Sequence, residues 1–228
     1  MASLTWLGHA SFRLDTDGGK RIYVDPFLQG NPKTPEAEKE PERVDVIALT
    51  HGHSDHVGDT VAISKRFPDA KIVAQVELYA WLGTQGANTG NGMGPNKGGT
   101  QEIDGVRFTL TNAFHSSSSD EGAYLGEACG IVVRFEGRSI YFAGDTCVFG
   151  DMALIGRLYE PDVAVLPIGD WFTMGPEEAS LALELLGNPR CVPCHWGTFG
   201  LLTGTPGALA KLTPATVEQL EPGDSVEL

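Results

Sequence analysis

The stretch LTHGHSDHVGD at residues 49–59 sets His51, His53, Asp55 and His56 within six positions, although the whole chain holds six histidines. It follows VIAL (46–49), an apolar run with the pattern of a buried strand, and precedes a helical pattern at about 55–67. The cluster is therefore expected on a strand-to-helix turn. In extended backbone, residues two apart point the same way, so His51 and His53 can grip one cation together. Once the chain turns into the helix, Asp55 and His56 point elsewhere and can serve a second. Imidazole and carboxylate ligands suit Zn²⁺, Mn²⁺ or Fe²⁺, and the lack of thiolates argues against a purely structural zinc.

Two cations need more ligands, and three candidates occupy comparable places. His115 follows RFTLTNAF (107–114), Asp145 follows SIYFAG (139–144) and His195 follows CVPC (191–194). Each ends a strand-like run, as His51 does. Ligands gather at the carboxyl ends of strands in α/β sheets, so these residues are expected to meet in one crevice. His9 and Asp25 close the runs LTWLG and RIYV, and Asp170 follows another strand in PIGDWF. Such groups can orient metal ligands from behind. For all three, a turn or capping role is the alternative.

Further strand candidates are LTWL (4–7), SFRL (11–14), RIYV (21–24), KIVA (71–74), RFTLT (107–111), GIVVRF (130–135), SIYFA (139–143), VAVLP (163–167) and SVEL (225–228). Helices are expected at about 75–82, 151–159 and 176–186. In the last, Pro176 suits the first turn, Leu181, Leu185 and Leu186 share a face, and Gly187 suits the C-cap. Hairpin-like strands followed by strand–helix alternation predict mixed sheets in an α/β fold. Division into similar halves near residue 115 predicts two packed sheets with helices outside. Two long segments, 29–42 and 83–99, read as loops, either plain connections or substrate-covering segments.

The 228 residues suit one large domain or two small ones, and 41% hydrophobic with 20% charged residues is ordinary for a globular chain. No apolar run reaches membrane-spanning length, and the start lacks a signal-peptide core, so a cytoplasmic location is expected. A formal charge of −14 disfavours a nucleic-acid partner. The four cysteines do not form a disulfide framework. Cys191 and Cys194 fall on opposite faces of a strand and are expected in the core rather than on a shared metal. Cys147 is expected to pack, with substrate contact as the alternative.

With these residues in place, the chain resembles the metallo-β-lactamase superfamily. The family's H-x-H-x-D-H motif is matched by His51, His53, Asp55 and His56. Its later histidine, bridging aspartate and last histidine are matched by His115, Asp145 and His195. The resemblance implies a four-layer αββα sandwich spanning residues 1–228 as a single hydrolase domain. It also implies that His51, His53 and His115 bind one metal, Asp55, His56 and His195 a second, and that Asp145 bridges them. The stretches WLGHASF, VDPF, GGTQEIDG, GDTCVFGDM and PIGDWFTMGPEEA resemble a small group of metal-dependent hydrolases. That group is similar to ascorbate-6-phosphate lactonase and, more distantly, to N-acyl phosphatidylethanolamine phospholipase D.

Two close cations can bridge a water, lower its pKa toward neutrality and present hydroxide to a carbonyl or phosphorus. The expected activity is hydrolysis of a small ester, lactone or phosphodiester, with zinc favoured over manganese or iron. Asp55, His9 and Asp25 are the candidate catalytic residues. His9 is expected to donate a proton, and Asp25 to fix its tautomer or hold a ligand histidine. A di-iron oxidoreductase and a non-catalytic metal-binding protein are the alternatives. The expected partner is a small molecule, with no nucleic acid and no membrane; a homo-oligomer is left open.

Overall fold

A computed structural model describes residues 1–90 and 92–228; Asn91, inside the expected loop 83–99, lies outside the described residues. The first of two six-stranded sheets comprises β1 (Ser3–Trp6), β2 (Phe12–Asp15), β3 (Arg21–Val24), β4 (Val46–Ala48), β5 (Lys71–Val73) and β12 (Ser225–Glu227), ordered β12-β1-β2-β3-β4-β5. The second comprises β6 (Thr100–Ile103), β7 (Val106–Asn112), β8 (Cys129–Phe135), β9 (Arg138–Phe142), β10 (Val163–Pro167) and β11 (Arg190–Cys194), ordered β11-β10-β9-β8-β7-β6. Both sheets are mixed. β1–β2 and β2–β3 pair antiparallel, then β3–β4 and β4–β5 parallel. β6 to β9 likewise pair antiparallel, and β9–β10 and β10–β11 parallel.

Direction follows from this pairing. β1, β3 and β4 run one way in their sheet, and β7, β9 and β11 run one way in theirs. Their carboxyl ends therefore collect at one edge of each sheet, where the candidate site residues emerge.

Strand side chains alternate between two cores, as the pleat requires. Leu4, Trp6, Phe12, Leu14, Ile22 and Val24 face Phe108, Leu110, Ile131, Val133, Ile140 and Phe142 between the sheets. Phe12 and Phe142 meet there at 5.8 Å in an edge contact, worth about 1 kcal/mol beyond area burial. The outer face of the first sheet, with Tyr23, Ile47, Leu49 and Ile72, packs against Val57, Ile63, Leu78 and Leu82. Those come from α1 (Ser54–Val57), α2 (Thr60–Arg66) and α3 (Val76–Thr84). The outer face of the second sheet meets α4 (Met152–Tyr159), α5 (Pro176–Leu186) and α6 (Pro206–Leu209) through Met152, Ile155, Leu183, Leu186 and Leu209. The result is a four-layer αββα sandwich. Among the described residues no helix is long and apolar enough to cross a membrane.

Several expectations need correction. The second sheet starts at β6, before residue 115, and β12 returns from the end of the chain to the first sheet. β6 carries no strand signal in the sequence because TQEI is polar and only partly buried, as suits an edge strand. The helix expected at 55–67 is interrupted. Gly58 takes a φ of +42°, and a Cβ there would lie 2.6 Å from both the Phe27 Cα and the Pro26 carbonyl oxygen. In α5, Pro176 and Gly187 sit at the expected ends, but the buried face is Ala179, Ala182, Leu183 and Leu186. Leu181 is exposed. Pro193 fits within β11 because that strand forms the sheet edge.

Segment 83–99 joins α3 to β6. Beyond local bonds to Trp81 and Leu82, its described hydrogen bonds go to Ser64, Pro68, Gln75, Tyr79, Leu110, Asn112 and Glu127, and none reaches the histidine cluster. Segment 29–42 touches the backbone beside His9. Thr34 donates to the Leu7 carbonyl, and Lys33 packs beside Gly8, next to His9.

Candidate metal centre

His51 and Gly52 follow β4 outside regular structure, and His53, in extended backbone, is the N-cap of α1. His51 Nε2 and His53 Nδ1 converge to 3.0 Å. Asp55 and His56 lie in the first turn of α1, where the helical rotation sends them away from that pair. One short motif thus contributes to two candidate clusters, and a third, His51 with His56 and Asp145, lies between them. Donor atoms of His51, His53 and His115 lie within 4.8 Å of one another, as do those of His9, Asp55, His56 and His195.

Asp145 stands between the groups, buried at 3% exposure, which places both carboxylate oxygens among ring nitrogens. Its Oδ1 is 3.4 Å from His56 Nε2, and its Oδ2 is 3.1 Å from His195 Nε2 and 3.6 Å from His115 Nε2. His56 Nε2 and Asp145 Oδ1 are buried and have no hydrogen-bond partner among the described residues. A bare nitrogen facing a bare carboxylate oxygen is a gap that a cation fits.

The electrostatics agree with that fit. Burial, reinforced by the neighbouring His56, lowers the pKa of His51 well below 6.5, and burial also lowers those of His53 and His115. Neutral imidazoles keep the lone pairs that a metal requires. Burial opposes ionisation of Asp145, yet His195 and His56 hold it well below the usual carboxylate range. Burial also disfavours charge on His56, but Asp145 and Asp25 flank the ring and raise its pKa well above 6.5. The two carboxylates thus favour positive charge at His56, as they would favour a cation beside it. The three buried thiols do not compete: burial pushes Cys129 up to about 12, and Cys191 and Cys194 also upward. Cys191 faces the helices and Cys194 the inter-sheet core.

The comparisons add the family. The model of the Beta-lactamase superfamily domain matches residues 20–196. A UPF0173 metal-dependent hydrolase of Herpetosiphon aurantiacus is 47% identical over 234 residues, covering 98% of this chain and 96% of the relative. The chain belongs to the UPF0173 metal-dependent hydrolases. Among solved structures, the fold of this UPF0173 chain matches Igni18, a metallo hydrolase from Ignicoccus hospitalis, with a TM-score of 0.86 and 36% identity over 99% of this chain and 97% of that one. It also matches an isothiocyanate hydrolase from Delia radicum gut bacteria with a TM-score of 0.74. That second likeness, at 23% identity over 99% and 98% of the two chains, concerns the fold alone.

Behind the candidate clusters of this UPF0173 hydrolase lies a second set of contacts. Asp25, 1% exposed with a φ of +46°, accepts from the Thr50 amide at 2.8 Å and the Thr50 hydroxyl at 2.6 Å. It also accepts from His56 Nδ1 at 2.8 Å, which leaves Nε2 as the free nitrogen. Because the Thr50 hydroxyl gives its proton to Asp25, it accepts from His51 Nδ1 at 3.0 Å. His51 therefore also presents Nε2 to the centre. One carboxylate fixes the tautomers of a histidine in each group.

His9 is fully buried with a φ of +55°. Its Nε2 contacts Asp55 Oδ2 at 3.0 Å and its Nδ1 contacts Thr198 Oγ1 at 3.1 Å. Its carbonyl accepts from Trp6 Nε1 and the His195 amide, both at 2.9 Å, which ties the ends of the two sheets together. Trp6 and Trp196 stack at 5.2 Å beside them. Burial lowers the His9 pKa to about 4 despite the bond to Asp55. Asp25 makes its contacts with His56 and Thr50, not with the His9 ring.

Asp170, with a φ of +65°, caps the Trp171 amide at 2.7 Å and makes no described contact with the ligand groups. Cys147 is exposed, which corrects its expected packing role. Thr50, Thr198 and Ser116, whose Oγ lies 3.3 Å from His53 Nε2, were not anticipated. Thr50 and Ser116 are at least neighbours of ligand-type residues in the chain; Thr198 carries no such signal for its contact with His9.

Proposed function

We propose that the chain is a two-cation hydrolase acting on a small ester, lactone or phosphodiester, with residues 1–228 working as one domain. His51, His53 and His115 would hold one cation, Asp55, His56 and His195 the other, and Asp145 both. The observation that carries this reading is the position of Asp145, whose two oxygens reach nitrogens of both groups within 3.1–3.6 Å. Zinc suits the nitrogen and oxygen donor set, with manganese or iron as alternatives of similar ligand chemistry. When bound, such cations supply a water of lowered pKa and stabilise charge on the substrate oxygen.

The protein's own part is to hold the ligands and shape access. Asp25 and Thr50 keep the Nδ1 protons of His56 and His51 in place, so that both rings present Nε2. His9 holds Asp55 from the side away from the first group. With both nitrogens engaged and the ring buried, His9 positions this carboxylate rather than serving as a proton donor at neutral pH. Phe199 stands against His9 at 5.2 Å, and Phe114 precedes His115; both are exposed and give the mouth an apolar border.

The test is hydrolysis by metal-loaded protein of a panel of lactones, carboxylic esters, thioesters, amides and phosphodiesters. Metal-dependent turnover of at least one ester, lactone or phosphodiester is expected. Turnover confined to amides would refute the substrate class, and failure on the whole panel would refute the hydrolase reading.

A further inference from the structure

A cavity of about 540 Å³ opens at the other end of the second sheet, lined in part by Arg107, Arg134, Ser139 and Tyr159. The candidate metal residues follow the carboxyl ends of β7, β9 and β11. This cavity instead adjoins the start of β7, the start of β9 and the carboxyl end of the antiparallel β8. Arg107 faces Arg134 across β7 and β8, and Arg134 faces Ser139 across β8 and β9. The three side chains thus form a row on the outer face, since the neighbouring Phe108, Val133 and Ile140 point inward.

Two guanidiniums directly opposite each other repel, and such pairs are destabilising unless something lies between them. This chain has 30 acidic against 16 basic residues, so counter-charges are plentiful. The ion pairs at this end nevertheless leave Arg134 out. Arg107 has Glu102 at 3.9 Å, and Arg138 has Asp17 at 2.9 Å and Glu136 at 3.9 Å. Arg134 lies over the Tyr159 ring at 5.4 Å, and its Nε is buried without a hydrogen-bond partner among the described residues. Ser139 is 7% exposed, and its Oγ likewise has no such partner. Of the three carboxylates that also line the cavity, Asp162 accepts from the Ser139 amide at 2.8 Å and Glu136 from the Asp17 amide at 3.0 Å, while Glu160 is exposed and makes no described ion pair with Arg134.

Buried donors without acceptors are costly, and a guanidinium fork is matched to planar or tetrahedral oxyanions. We propose that this cavity is a second ligand site, which takes the phosphate or carboxylate group of a small polar molecule between Arg107, Arg134 and Ser139. A pocket of this volume has room for more than the anion itself. The proposal does not depend on the metal centre, which lies at the opposite strand ends.

The experiment is a titration of ¹⁵N-labelled, zinc-loaded protein with inorganic phosphate and, separately, with malonate, using chloride at equal ionic strength as the control. Saturable amide shifts are expected in segments 105–107, 134–139 and 159–162 with at least one of the two anions. Phosphate alone would assign a phosphorylated ligand, malonate alone a carboxylate. Arg134→Gln and, independently, Ser139→Ala should each weaken binding, the former by about tenfold. Shifts around His51 and Asp145 should be unchanged by either substitution. Shifts confined to the metal loops, no saturation beyond the chloride control, or unaltered binding in both variants would overturn the proposal.

Discussion

Asp25 and His56, 31 positions apart in the chain, form a buried 2.8 Å contact in which the ring Nδ1 donates to Oδ2. The same oxygen takes the Thr50 hydroxyl proton, and that hydroxyl in turn receives His51 Nδ1. Support of this kind fixes a ligand's tautomer and raises its basicity, and its loss weakens metal binding roughly 10–100-fold. Asp25→Asn should therefore lower affinity at both cation positions by that order while leaving the fold in place. Competition titration with a chelating dye measures it. Unchanged affinity at both positions would remove Asp25 from this role.

Thr50→Val keeps the shape of the side chain but cuts the link between Asp25 and His51. The cation held by His51, His53 and His115 should be weakened more than its neighbour, because His56 keeps its own bond to Asp25. Sequential loss of metal during dialysis against a weak chelator would reveal the order. Equal weakening of the two would show that Thr50 acts through the general packing of the loop.

His9 offers a test by pH. Its imidazole is held near pKa 4 by burial, below the ordinary 6.5, so the unfolded chain takes up the proton first on acidification. The stabilisation is present above pH 6.5 and is lost as pH falls toward 4. In metal-free protein, His9→Gln should flatten the decline in stability across that window, as read from urea unfolding at successive pH values. In metal-loaded protein the same variant should lower kcat while leaving the pH profile between 6 and 8 in place. A profile whose inflection disappears with the substitution would make His9 a proton donor after all.

Gly58 separates α1 from α2 and lets α1 turn sharply against the Pro26–Phe27 backbone. Gly58→Ala meets both a left-handed φ and backbone atoms at 2.6 Å. It should destabilise the protein by about 2–4 kcal/mol, measured by urea denaturation. A loss under about 0.5 kcal/mol would mean that the turn relaxes easily.

The parts of this molecule that could be read from the sequence were those carried by local patterns. The H-x-H-x-D-H spacing sends His51 and His53 to one candidate cluster and Asp55 and His56 to another because a helix begins within the motif. Strand ends marked His115, Asp145 and His195 because these residues follow apolar β-branched runs. The link from Asp25 to His56 was visible only as one of several roles. The hydroxyl of Thr50 looked like an ordinary β-strand residue, and Thr198 meets His9 across 189 positions. In α5 the leucines suggested one face, but the closely packed Ala179 and Ala182 set the buried one, since small side chains let the helix approach the sheet. β6 was hidden because an edge strand needs little apolar sequence.

Asp145 carries the central claim, and metal stoichiometry tests it most directly. Metal-free protein titrated with zinc and analysed for bound metal should take up about two equivalents per chain, since seven ligand-type residues exceed the needs of one tetrahedral ion. Asp145→Ala should lose most of that capacity and more hydrolytic activity than any single histidine substitution. Wild-type saturation at one equivalent, or an Asp145→Ala protein that keeps both equivalents and its full rate, would contradict the account.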